Sequence, residues 1–136
     1  IIFGNYSIES QKEALFAIAS GSSSRTEKRV DIILEVIKKH SNSRIKNEAI
    51  FWMGQIKSPK VIIFLEDQAF ADNPVETTKA LLFALQDYGT PESLDLLIKI
   101  AKKHPNMEIK KEAIFWLGQK NDEKALKAIE ELIDEL

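Results

Sequence analysis

The chain has no cysteine among its 136 residues, which excludes disulfides, thiol nucleophiles and zinc–thiolate sites. No apolar stretch exceeds six residues, whereas a membrane-spanning helix needs roughly 20. Neither sign of charge is in large excess, since 19 basic residues stand against 21 acidic ones. A protein built mainly to bind nucleic acid or acidic membranes would usually carry a basic excess.

The first residue is Ile1, with neither an initiator methionine nor a signal-peptide pattern. We therefore expect the sequence to begin inside a longer gene product or after processing. A length of 136 residues suits one domain with a core that needs no covalent cross-link.

An internal repeat organises the sequence. Residues 38–56 and 102–120 are identical at 13 of 19 positions. A weaker copy lies halfway between them, at 81–85, so the offset of 64 residues is two units of 32. A first copy at 12–19 precedes the one at 47–54 by 35 residues, with the extra residues in the polar loop 20–25. We predict four units, about 9–40, 41–72, 73–104 and 105–136, after an N-terminal extension over residues 1–8.

Each unit is predicted to be a pair of α-helices, because its apolar residues follow helical spacing. In unit one this row is Val30, Ile33, Leu34 and Ile37. The predicted first helices lie near 9–20, 43–55, 74–88 and 106–119. The predicted second helices lie near 27–39, 59–70, 91–103 and 123–135.

Residues typical of helix ends keep the same period. Four good N-cap types recur every 32 residues: Thr26, Ser58, Thr90 and Asp122. Two glycines, Gly54 and Gly118, are expected to end first helices as left-handed C-caps. In the last helix, we expect Leu132 and Ile133 to face unit three and the acidic residues to be solvated.

The order of a basic residue, Ala, a hydrophobic pair and Gly, followed by a capped second helix, resembles the HEAT repeat. Unit two carries it as Lys46, Ala49, Trp52, Met53 and Gly54, and unit four as Lys110, Ala113, Trp116, Leu117 and Gly118. The sequence is most similar to the short bacterial HEAT-like repeats also found in phycobilisome lyases, over about residues 10–136. The resemblance implies an all-α, right-handed α-solenoid of about four helical hairpins, with second helices lining the concave face. HEAT-repeat proteins act mostly as scaffolds and binding surfaces.

The enzymatic branches of that family are not matched. HEAT-like di-iron hydroxylases carry His-Glu pairs, whereas His40 and His104 are followed by Ser41 and Pro105. HEAT-like DNA glycosylases need a cationic concave face, whereas the outward rows here alternate in sign. No chromophore-handling motif of bilin lyases is present. We therefore expect no catalytic residue, metal site or cofactor.

The two tryptophans, Trp52 and Trp116, stand where other units have Ala17 and Ala84. Alternation of large and small residues favours packing between units, and the alternative is a surface hot spot for binding. The predicted structural core of the repeat consists of Trp52, Trp116, Ala49, Ala113, Gly54 and Gly118.

Ile63 and Phe70 interrupt outward rows in which most units have charges. They lie seven residues apart on one helical face, near Asp67, Lys99 and Lys102. An apolar spot rimmed by charge suits a partner helix or peptide. The alternative is that Phe70 folds under the turn 71–74 while Ile63 fills a groove between helices.

These patterns predict a non-enzymatic protein–protein interaction scaffold that binds a partner of unknown identity on its concave face. We expect no nucleic acid and no membrane insertion. The alternatives are an accessory or lyase-type enzyme subunit, and a spacer or oligomerisation domain of a longer protein. The sequence defines neither localisation nor oligomeric state, and favours the cytoplasm only slightly.

Overall fold

The computed structural model describes residues 7–21 and 25–135, and within them all regular secondary structure is helical. The first helices of the units are α1 (Ile8–Ala19), α3 (Ser43–Met53), α5 (Val75–Tyr88) and α7 (Met107–Gly118). The second helices are α2 (Thr26–Lys39), α4 (Pro59–Gln68), α6 (Pro91–Lys103) and α8 (Glu123–Asp134). Each helix begins and ends within two residues of its predicted position.

The helices form two layers around one core. Each first helix packs on the next first helix, and each second helix packs on the next second helix. The largest fully buried side chains come from every unit: Leu15, Ile33, Ile45, Ile50, Met53, Leu65, Leu82, Leu85, Leu97, Ile100, Ile109 and Leu117. A core shared by neighbouring units is what stabilises a helical solenoid, and the predicted all-α solenoid is confirmed.

Ser58, Thr90 and Asp122 cap their helices as expected, and each side chain accepts a hydrogen bond from a backbone N–H of the first turn. The prediction for Thr26 is wrong. Thr26 is the first residue of α2, and Arg25 occupies the N-cap position with a left-handed backbone, at φ 60°.

Gly54 and Gly118 are not left-handed caps. Gly54 has φ −62° and ψ −18°, whereas the glycine with positive φ in the described residues is Gly89, which ends α5. A Cβ atom on Gly54 would lie 2.6 Å from the carbonyl oxygen of Ala84. Glycine is therefore needed there because α3 approaches α5 closely, not because the chain turns.

Gly118 was expected in the core, but it is exposed at the end of α7. Ile133 was expected to face unit three, but its side chain is 61% exposed on α8. Leu132 does pack against the core. Both corrections have one physical reason: these positions lie on the outer side of unit four, where no further unit packs against them.

The predicted extension over residues 1–8 falls partly outside the described residues. Residues 1–6 are not described, while Ser7 is the N-cap and Ile8 the first residue of α1. Residues 22–24 of the predicted loop 20–25 also lie outside the described residues. Among the helices that are described, none is both long enough and apolar enough to cross a bilayer.

Candidate functional site

An aromatic row crosses the first helices. The ring centroids of Phe16 and Trp52 are 5.2 Å apart, and those of Phe83 and Trp116 are 5.5 Å apart, both edge-on. The ring of Phe51 stacks on that of Phe83 at 4.4 Å. Each contact joins two successive units, and both indoles are half-buried against the core. The tryptophans thus take part in packing between units.

Ion pairs join successive second helices between residues 29 positions apart. These pairs are Asp31–Lys60, Asp95–Lys124 and Lys102–Glu131. They link unit one to unit two and unit three to unit four. The alternating signs of the outward rows are therefore organised as pairs across the interfaces between units. Exposed pairs of this kind stabilise a fold only slightly, but they place charges along the second helices at two of the three interfaces.

The pattern is interrupted at the interface between units two and three, which we call the central interface. At the spacing of 29 residues, Ile63 stands opposite Glu92, and Phe70 stands opposite Lys99. The side chain of Ile63 is 64% exposed. Within the described residues, Glu92 takes part in no ion pair. The central interface therefore presents an apolar side chain beside a free carboxylate.

Phe70 follows the end of α4 and remains 39% exposed. Its ring stacks on the imidazole of His104, with centroids 5.5 Å apart. The ammonium of Lys99 lies 5.6 Å from the centre of the same ring, a cation–π distance. The structure thus brings Phe70 and Lys99 together. It places Lys102 elsewhere, in the ion pair with Glu131.

A cleft of about 610 Å³ opens between units one, two and three. The cleft lies beside residues 69–74, which connect α4 to α5. This connection is longer than the three-residue connections between α2 and α3 and between α6 and α7. With the longer connection, α4 packs less closely on α5 than the other second helices do on the helices that follow them. Apolar and charged side chains share the lining, including Leu34, Ile50, Phe64, Leu81, Lys38, Lys46 and Asp67.

Sequence reasoning found Asp67 but missed the cleft that this residue lines. The available signal was the length of the connection 69–74. Lys38 and Asp67 hold the positions equivalent to the Lys102–Glu131 pair, which lies 64 residues, or two interfaces, later. Both line the cleft, and no ion pair joins them in the described residues. Their charges are therefore available to a ligand in the cleft.

Each histidine supports a turn between units. Nδ1 of His40 accepts the backbone N–H of Asn42, and Nδ1 of His104 accepts that of Asn106, both at 3.0 Å. Burial lowers the pKa of His104 below its ordinary value. No group of three His, Asp or Glu side chains suited to a metal ion occurs in residues 7–21 and 25–135.

Comparison with known proteins gives one finding. A protein-family model described as HEAT repeats matches residues 67–135, just over half of the chain. The match begins within α4 and includes all of units three and four except the last residue. Searches of curated proteins and of solved structures return no match.

Proposed function

Because the chain belongs to the HEAT-repeat family, whose repeats commonly mediate protein–protein interaction, we propose that it is a non-enzymatic protein-binding module. Its ligand is a helix or an extended segment of a partner protein. The proposed binding surface is the second-helix face at the central interface, and this face is part of our proposal as the concave side of the solenoid. Ile63 is at the centre of this surface.

The observation that carries the proposal is the exposure of Ile63 at the interface whose second helices no ion pair joins in the described residues. The interfaces before and after it are joined by ion pairs such as Asp31–Lys60 and Asp95–Lys124. Ile63 can form no such pair with Glu92. An apolar surface rimmed by charge is typical of a protein interaction site, and here Ile63 and Phe70 together supply the apolar side chains.

The chemistry of the surface defines the partner. Ile63 lies in α4 and Phe70 two residues beyond its end, so the two are separated by roughly the 10 Å that seven residues of an α-helix span. A partner helix with apolar side chains two turns apart can therefore contact both. A basic side chain of the partner would meet Glu92, and an acidic one would meet Lys99. Asp67 lies between the two apolar residues and lines the cleft, so a further partner side chain can enter there.

Stacking of the units also reduces the conformational entropy that is lost on binding. The central interface is held by Phe51 against Phe83 and by Gly54 against Ala84. Because these contacts between α3 and α5 join units two and three before a partner arrives, little of the binding free energy is lost in ordering the site.

The experiment is site-specific photo-crosslinking in lysate of the source organism, with p-benzoyl-phenylalanine in place of Ile63. Met107 is the matched control position, because it is 62% exposed and is the first residue of α7, away from the central interface. We expect a discrete crosslinked protein from position 63 and none from position 107. Mass spectrometry would identify the partner and the crosslinked segment.

The partner's affinity is then measured for Ile63→Lys and for Met107→Lys. Burial of an isoleucine side chain is worth about 1.5–3 kcal/mol, so Ile63→Lys should weaken binding by roughly 10- to 100-fold. Met107→Lys should leave it unchanged. If no protein crosslinks at position 63, or if Ile63→Lys binds normally, the central interface is not the binding surface. Circular dichroism checks that both variants remain folded.

A further inference from the structure

The outer side of unit four, which we call the end face, is apolar where the corresponding sides of inner units are covered. Its exposed side chains include Phe115 and Leu126, each 53% exposed, and Ile133. The equivalent residues of unit three, 32 positions earlier, are buried or half-buried against unit four. Repeat arrays need a polar outer face where they meet solvent, whereas the end face combines charged residues with these exposed apolar side chains.

Gly118 marks the end face as a surface for close helix packing. It is equivalent to Gly54, whose missing Cβ lets α5 approach so closely that the nearest backbone atoms of Ala84 would be 2.6 and 2.7 Å away. A Cβ on Gly118 would meet no atom within 4 Å. Unit four thus has a glycine at the position of Gly54, although no helix of the described chain packs against it.

We propose that the end face binds a further HEAT-type helical pair whose contacting side carries the residues of unit three. Unit four repeats unit two, so its partner should repeat what unit three presents to unit two. In the observed interface Phe51 stacks on Phe83 and Gln55 donates to Asp87. Phe115 and Gln119 preserve both residue types, 64 positions later.

The charges of the end face fit the same partner. At the 29-residue spacing of the observed ion pairs, Lys127 would stand opposite an equivalent of Glu92, and Asp134 opposite an equivalent of Lys99. Lys79 already pairs with Glu108 at this spacing between first helices. By that geometry Lys111 would stand opposite an equivalent of Glu76. These end-face charges form no ion pair within the described residues.

Unit one of a second copy is a poorer fit. It offers Phe16 and Ala17 at the positions of Phe83 and Ala84. It would, however, place Lys28 opposite Lys127 and Glu35 opposite Asp134. Two like-charge contacts oppose head-to-tail stacking of the chain on itself, whereas the unit-three residues give opposite charges at both places.

The experiment appends a second copy of residues 73–104 directly after Leu136, which preserves the 32-residue period. We expect helical content to rise in proportion to length and the urea midpoint of unfolding to increase. The matched control is the same extension with Glu92→Lys and Lys99→Glu in the appended copy only. This control has the same composition but like charges opposite Lys127 and Asp134, so its midpoint should rise less.

Gly118→Ala tests whether the appended unit contacts the end face closely. In the chain without an extension this substitution should raise the midpoint, because the new methyl group meets nothing. In the extended chain it should lower the midpoint, as we expect of Gly54→Ala at the inner interface.

The proposal is overturned if the appended unit stays unfolded, if the two extensions have equal midpoints, or if Gly118→Ala has the same sign in both chains. Sedimentation of the chain without an extension tests the other occupant. A dimer that Gly118→Leu dissociates would assign the end face to a second copy and would also overturn the proposal. None of these readouts depends on partner capture at Ile63, so this proposal and the proposed function can fail separately.

Discussion

Replacement of Gly54 by alanine places a methyl carbon 2.6 Å from the carbonyl oxygen of Ala84 and 2.7 Å from its Cα. Carbon atoms in good contact lie about 3.5–4.0 Å apart, so α3 and α5 would have to separate by about 1 Å. The atoms that obstruct the methyl group are backbone, so no side-chain rotation relieves the clash. Overpacking of this kind costs about 1–3 kcal/mol. We expect Gly54→Ala to lower the free energy of unfolding by about 2 kcal/mol.

Gly118→Ala is the internal comparison, because it makes the same chemical change at the equivalent position of unit four. Its methyl group would meet no atom within 4 Å, and its φ is not positive. Alanine stabilises a helix by about 0.5–1 kcal/mol relative to glycine. We therefore expect Gly118→Ala to raise the free energy of unfolding by up to that amount. Two equivalent glycines should respond with opposite signs.

The assay is urea unfolding of both variants and the parent chain, followed by far-ultraviolet circular dichroism and by tryptophan fluorescence. Coincident transitions by the two probes permit a two-state comparison. Because m is about 1–3 kcal/mol/M in urea, a difference near 3 kcal/mol separates the two midpoints by about 1 M or more. Equal midpoints, or a lower midpoint for Gly118→Ala than for Gly54→Ala, would refute the assignment of Gly54 to close packing.

Three further predictions use other contacts. The Tyr88 hydroxyl donates a buried hydrogen bond of 2.9 Å to the carbonyl of Ser58. Tyr88→Phe should therefore lower the free energy of unfolding, measured in urea titrations, by about 1–3 kcal/mol. An unchanged value would show that the bond contributes nothing. Burial lowers the pKa of His104, so below about pH 6.5 the unfolded chain takes up a proton more readily than the folded chain, and stability decreases as the pH decreases. The urea midpoint of His104→Gln should therefore change less between pH 7 and pH 5 than that of the parent chain. An equal change in both chains would contradict this. Ile63→Lys places an ammonium opposite Glu92, so it should change stability by less than about 1 kcal/mol although it weakens partner binding; a large loss of stability would indicate a structural role for Ile63.

Most of the fold could be predicted because the same helix signals recur in successive units of the sequence. N-cap residues and apolar rows recur every 32 positions, and each recurrence supports the others. The exception at Thr26 arises next to the loop in which unit one departs from this period. There Arg25 takes the left-handed cap position that precedes α2.

The glycines show a limit of reasoning from residue type. Glycine serves both where φ is positive and where two backbones meet, and one sequence does not distinguish these uses. Gly54 has the second use, which depends on the position of α5. Gly89, which has φ 67°, has the first. Only the packing of successive units separates the two cases.

The charged rows of the candidate site show a different limit. Read row by row, the charges alternate without obvious order. Their order becomes visible between rows, because a second helix contacts its successor three positions short of one full repeat. That offset is a property of how the units stack, so the sequence alone does not predict that Glu92 stands opposite Ile63.

The repeat of 64 residues divides the three interfaces between units into two kinds. Interfaces within the unit pairs one–two and three–four carry ion pairs between second helices. The central interface has none there and depends on first-helix contacts such as Gly54 against Ala84. Its second helices are left with exposed apolar surface at Ile63 and Phe70. A partner bound there would contact both unit pairs, and binding to the folded state stabilises whatever it spans. The surface that we propose for recognition is thus the one at which no ion pair joins the second helices of the described residues.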